Sequence, residues 1–137
     1  MQRLPRILTK CQDNKVANER LVYLEYKDKL IVKLVYRGLD SRGMIALYRE
    51  ACKIGLDNPG KYSLLADFSH AQIDPQFLAC LQTRETKLAS KAYARVAATG
   101  LSGLRRLFLH MYNKTTKSDV ISFPGENEAL EYLVKCC

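Results

Sequence analysis

Two short runs rich in Val, Ile, Leu and Tyr, Leu21 to Tyr26 and Leu30 to Tyr36, open the patterned part of the chain, with Lys27-Asp28-Lys29 between them. Ile31, Lys33 and Val35 alternate with Leu30, Val32 and Leu34, a two-residue beat that predicts an antiparallel β-hairpin. Its early position suggests the least buried part of a sheet. The rhythm then lengthens. Met44, Leu47, Tyr48, Ala51 and Cys52 recur at helical spacing behind a cap at Asp40 or Ser41, and Asn58-Pro59-Gly60 stops the helix. Ser63 to Phe68 is short and nearly all apolar, as expected of a strand covered on both faces.

Asp74-Pro75 starts a second helix, since Asp caps free N–H groups and Pro suits a first turn. Phe77, Leu78, Leu81 and Leu88 form its stripe, interrupted by Arg84 and Glu85. Tyr93 to Thr99 reads as a small-residue strand, and Gly100 turns it into a helix carrying Leu104, Leu107, Phe108 and Met111. Val120 to Phe123 is a last strand, and Pro124-Gly125 leads to a final helix with Glu126 and Glu128 in its first turn and Lys135 at its end, matching the helix dipole. The order is ββαβαβαβα: an α/β single domain with a mixed sheet, a hairpin followed by βα units, whose later strands run parallel. Residues 1–18 read as an N-terminal extension and 19–135 as the core.

At 137 residues the chain suits one domain. No apolar run approaches the roughly 20 residues needed to span a bilayer. Polar and charged residues occupy Met1 to Lys15 where a signal peptide needs an apolar stretch, so a cytoplasmic setting is expected. The five cysteines, Cys11, Cys52, Cys80, Cys136 and Cys137, are odd in number and show no CxxC or paired-histidine spacing. That pattern argues against a disulfide framework or zinc site. The Cys136-Cys137 pair is compatible with lipidation or redox chemistry; an incidental chain end is the simpler reading.

Charge changes the picture more. The formal net charge is +8, and eight of the basic residues fall between Arg84 and Lys117 against one acid, Glu85. A local positive field attracts anions, and a solvated face is the plainer alternative. The segment lacks the aromatic interleaving of RNA-binding sheets, and no helix-turn-helix or zinc motif occurs, so nucleic acid is not the expected partner.

Three stretches, Leu64-Leu65-Ala66-Asp67-Phe68-Ser69, Thr99-Gly100-Leu101-Ser102-Gly103-Leu104-Arg105-Arg106, and Phe123 through Glu128-Ala129-Leu130-Glu131-Tyr132-Leu133-Val134, together with the element order, make the chain resemble the STAS, or SpoIIAA-like, family of anti-sigma-factor antagonist folds. The likeness is nearest to the bacterial SpoIIAA-like proteins and covers about Leu21 to Lys135. In the regulatory branch of that family, a turn like Asp-Ser-Ser-Gly presents a phosphorylatable serine. Here the corresponding place reads Ile73-Asp74-Pro75-Gln76-Phe77, with the acid but no hydroxyl, so the phosphoswitch does not carry over and Ser69 is expected to serve a local turn. The other branch resembles small-ligand and lipid-binding proteins with an apolar groove between a helix and the sheet.

Three places can carry function. At Gly100 to Arg106, a strand, glycine turn and helix start aim N–H groups at one point, and Gly100, Ser102, Gly103, Arg105 and Arg106 would receive an anionic group. Helix capping by Ser102 explains the same residues, and the stretch lacks both Gly-Lys-Ser/Thr and the full GxGxxG. At the carboxyl end of the central strand lie Asp67, Ser69, His70 and Asp74, where ligands of open α/β sheets collect. An Asp–His pair can do acid–base work, but no nucleophile accompanies it, and capping and turn roles explain these residues. Third, Arg84 and Glu85 interrupt a stripe of Phe77, Leu81 and Leu88. Burying them unpaired is costly, so the helix leaves the sheet there or lines a groove with an apolar floor and polar lip.

These readings point to a non-enzymatic, ligand-binding or regulatory module that takes a phosphate-bearing or lipid-like small molecule, without cofactor or metal. The alternative is a protein–protein regulator, with Tyr23, Tyr26 and Tyr36 of the hairpin as a contact patch for a partner or a homodimer. A hydrolase-type enzyme and a weak nucleic-acid binder rank behind both.

Overall fold

The computed structural model describes residues 6–8, 20–81, 83–101, 109–114, 117 and 120–135. Six strands form one mixed sheet in the order of the chain: β1 (Arg6–Leu8), β2 (Leu21–Tyr26), β3 (Lys29–Val35), β4 (Ser63–Asp67), β5 (Val96–Thr99) and β6 (Ile121–Phe123). The pairs β1–β2 and β2–β3 are antiparallel, whereas β3 to β6 all run parallel. Four helices complete the described elements: α1 (Ser41–Asp57), α2 (Pro75–Cys80), α3 (Arg84–Ala92) and α4 (Glu126–Leu133). Residues 109–114 are also helical.

The hairpin forms as its pattern predicts. Lys27 and Asp28, the two turn residues, both have positive φ, 49° and 66°. This is the twist-matched two-residue turn that antiparallel strands favour. Its place in the sheet differs from expectation. Arg6–Leu8, inside the stretch read as an extension, pairs with β2, and β3 pairs with β4 on its other side. β3 is therefore an interior strand, with Ile31, Val32 and Leu34 fully buried.

Alternation along the strands sorts the core into two layers. On one face Val32, Leu34, Leu64, Ala66, Phe68 and Ala98 pack under α1, α2 and the 109–114 helix, and α3 packs against α1. On the other, Leu24, Tyr26, Ile31, Leu65 and Ala97 pack under α4, the one helix on this face among the described residues. Lys33, on this second face, meets Glu126 at 2.6 Å. Arg95 donates to the Tyr132 carbonyl at 2.7 Å and lies over the Tyr132 ring, anchoring α4 at its far end.

The helix boundaries follow capping chemistry. Asp40 accepts from the Gly43 amide at 2.8 Å, and Asn58 ends α1 by donating its side-chain amide to the Ile54 carbonyl at 2.9 Å. Asp74 caps α2 through the Phe77 amide at 3.0 Å. The single helix expected from Asp74 to Leu88 is two. Thr83 caps a new helix, accepting from the Thr86 amide, and both threonine hydroxyls donate to the last carbonyl of α2, that of Cys80. This break restarts the helical phase. α1 and α3 run side by side in the same direction: the Tyr93 ring sits against Gly55, where an added Cβ would come within 2.6 Å of it, and its hydroxyl donates to the Ala51 carbonyl.

Candidate functional site: a cavity under the helical layer

Between the sheet and the helices of the first face lies a partly open cavity of about 50 Å³. Its floor is aliphatic, from Leu34, Leu64, Ala66 and Ala98, and its roof comes from Tyr48 of α1, Phe77 and Leu81 at α2, and Leu109 and Tyr112. Among the described residues no charged side chain lines it. One wall is a set of aromatic rings: Tyr36 stacks on Phe68 with centroids 4.7 Å apart, and Phe77 meets Tyr36 and Tyr48 edge-on. Such arrangements hold rings rigidly, so the wall is preformed.

Among the described residues, polar side-chain groups reach this space as hydroxyls. The Tyr48 hydroxyl meets Thr86 and Tyr112, and burial pushes its ionisation far above the ordinary range. Burial does the same to Tyr36. Next to Tyr48, burial raises the Cys52 thiol to about 12, partly offset by a hydrogen bond from Tyr48. These groups stay protonated and neutral at physiological pH, and the cavity offers hydrogen bonds without charge.

Phe77 and Leu81 of the proposed groove therefore do line a recess between the second helix and the sheet. Arg84, Glu85 and Leu88 do not. All three are exposed on α3, Leu88 by 53%. The physical reason is the Thr83 cap: once the helix restarts, Leu88 no longer shares the azimuth of Phe77 and Leu81, and Arg84 and Glu85 occupy a solvated first turn.

The strand-end loop is a separate place. Asp67 and Thr99 are paired neighbours on the α4 face, opposite the cavity. The Asp67 carboxylate accepts from the Ser69 amide at 3.0 Å and from the Thr99 hydroxyl at 3.3 Å. Asp74 accepts from the Phe77 amide and the Ser41 hydroxyl. His70 is exposed, with φ of 58°. These carboxylates are thus engaged in a turn and a cap, the bland role the residue types also allowed. Ser69 and Gly100 are brought together: at Gly100, φ is 81° and a Cβ would lie 2.3 Å from the Ser69 amide nitrogen. Ser102, Gly103, Arg105 and Arg106, the rest of the expected anion site, lie outside the described residues, as do Cys11, Cys136 and Cys137.

The tyrosine patch expected on the hairpin does not form. Tyr26 and Tyr36 are buried, and Tyr23 packs against Tyr62 with centroids 5.6 Å apart. Helices packed over both faces of the sheet turned an expected surface into core. Among the described residues no group of His, Cys, Asp and Glu is placed to hold a metal ion, and no helix is long and apolar enough to cross a membrane. What sequence reasoning missed is the part played by Tyr48 and Tyr112; the apolar spacing around Tyr48 placed it in the core without marking it as a cavity wall. Searches against protein-family models, curated proteins and solved structures find no match for this chain.

Proposed function

We propose that this domain is a non-enzymatic binding module that seats the apolar end of a small amphiphile in the cavity between the sheet and α1, α2 and the 109–114 helix. The observation that carries this reading is the lining itself: among the described residues, every one that borders the cavity is uncharged, with hydroxyls at Tyr36, Tyr48 and Tyr112. Ligand sites are typically apolar recesses with a few placed polar groups. Size narrows the guest. A dry cavity of about 150 Å³ takes up benzene, and this one has about 50 Å³. The buried part is therefore a few carbons, such as the tip of an alkyl or isoprenoid chain, with any charged head outside. The reading accords with the ligand-binding branch of the SpoIIAA-like family that the sequence motifs resemble, and membership of that family and a cytoplasmic setting are parts of the same proposal.

Titrating the protein with short-chain alcohols and with hexanoate, followed by amide chemical shifts, tests it. Shifts should cluster at Ala66, Ala98 and Val120, and Ala98→Val, which places two methyl groups in the space, should abolish them. Absence of localised shifts up to the solubility limit of both probes, or unchanged binding by Ala98→Val, would overturn the reading.

A further inference from the structure

Three of the four exposed large apolar side chains among the described residues belong to one layer: Leu56 of α1 (38%), Leu88 of α3 (53%) and Met111 of the 109–114 helix (59%). Each has basic neighbours on its own helix. At 100° per residue, Arg42, Arg49, Lys53 and Leu56 share one outward stripe of α1, and Arg84, Leu88 and Lys91 share one outward stripe of α3. Arg42, Arg49, Lys53, Arg84 and Lys91 are all exposed. Because α1 and α3 run in the same direction, with Tyr48 level with Thr86 and Gly55 level with Tyr93, the two stripes run alongside each other, and Arg49 reaches from its stripe to a hydrogen bond with the Cys80 thiol. Among the nearby acids, exposed Asp57 stands one turn beyond Lys53 at the end of the α1 stripe, Glu50 falls on the edge of α1 remote from α3, and Glu85 faces the seam, where its charge and that of Arg49 both reach Cys52 and Cys80.

We infer that this outer face docks on an anionic membrane surface, with Leu56 and Leu88 entering the interface between the cations. Charge complementarity alone would suit any polyanion. The exposed leucines among the arginines and lysines favour a lipid surface, since apolar side chains flanked by cations match headgroup and acyl boundary together, whereas a nucleic acid or an acidic protein surface gives Leu88 nothing to bury against. Each cation held near an anionic leaflet contributes about fivefold to partitioning. Attachment would be reversible and salt-sensitive. It needs no ligand in the cavity, so it stands apart from the proposed function.

Co-sedimentation of the full chain with phosphatidylserine-rich vesicles, and with phosphatidylcholine vesicles alone, tests it. Binding should appear only with the anionic vesicles and weaken with added salt. Arg84→Glu with Lys53→Glu should lower the partition coefficient by roughly thirtyfold or more, and an acid at position 84 suits a helix start, so α3 should persist. Leu88→Ser should lower it by about tenfold. Lys29→Glu, on the hairpin at the far side of the sheet order, should change it little. No binding to anionic vesicles at low salt overturns the inference. So does vesicle binding that Leu88→Ser leaves intact while polyglutamate or duplex DNA competes fully, which would identify a surface for acidic polymers instead.

Discussion

Gly100 and Gly60 both have left-handed backbones, with φ of 81° and 76°, but only Gly100 has a neighbour against it, the Ser69 backbone. Gly60→Ala meets open space and should cost about 1 kcal/mol from backbone strain alone. Gly100→Ala must also displace the β4 loop, and a loss of more than about 2 kcal/mol is expected. Urea midpoints of the two variants read the difference. Protonation offers a second residue-scale test. Cys52 holds its proton to about 12 in the fold, against an ordinary value of 9.0. Above pH 9 the unfolded chain releases a proton that the fold retains, so stability is whole below pH 9 and falls as pH rises toward 12. Tyr36, Tyr48 and Tyr93 are raised in the same direction by burial, from 10.0, and extend the loss. Cys80 is raised from the same 9.0 by burial, so unfolding midpoints measured across this range should fall steadily, and Cys52→Ala should lessen the earliest part of the decline. At neutral pH, iodoacetamide should label half-buried Cys80 well before buried Cys52.

At the scale of elements, a single hydroxyl decides where the second helical segment divides. Thr83→Ala removes the acceptor for the Thr86 amide and one of two donors to the Cys80 carbonyl; a destabilisation of about 1 kcal/mol is expected from thermal or urea unfolding. The sequence contained this break, since Thr83 precedes an acid and a second threonine at cap spacing. The apolar stripe from Phe77 through Leu88 outweighed it because i, i+4 and i+11 spacing survives on paper across a restarted helix. The hairpin, the caps at Asp40 and Asp74, the stop at Asn58 and the parallel run of later strands were all legible, because each rests on local chemistry. The burial of β3 was not. It depends on which strands join on either side, and three residues at Arg6–Leu8 are too few to show a period. The cavity was legible only as a place, between helix and sheet at Phe77 and Leu81; Tyr48 and Tyr112 join it through packing between elements distant in the chain.

For the molecule as a whole, the cavity is a cost that filling should recover. At about 24 cal/mol per Å³, 50 Å³ corresponds to about 1 kcal/mol. Ala98→Val should therefore raise the unfolding midpoint while abolishing uptake of the probes, an exchange of binding for stability that a simple packing defect would not show. Among the described residues the two faces of the sheet are also unequally covered, one by a layer of helices and the other by α4. α4 is held at its ends by Lys33–Glu126 and by Arg95 at Tyr132, and near its middle Glu131 is kept below the usual carboxylate range by the Tyr26 hydroxyl and then by Lys27. Because each strand hydrogen-bonds to its predecessor in the chain, a nascent polypeptide leaving the ribosome always finds the edge it needs already laid down. The sheet can grow by simple accretion, and α4, which covers Leu24, Ile31 and Leu65, follows all six strands in the chain. Translation stalled before Glu126 would leave those three side chains without α4 over them, a species for chaperones to hold.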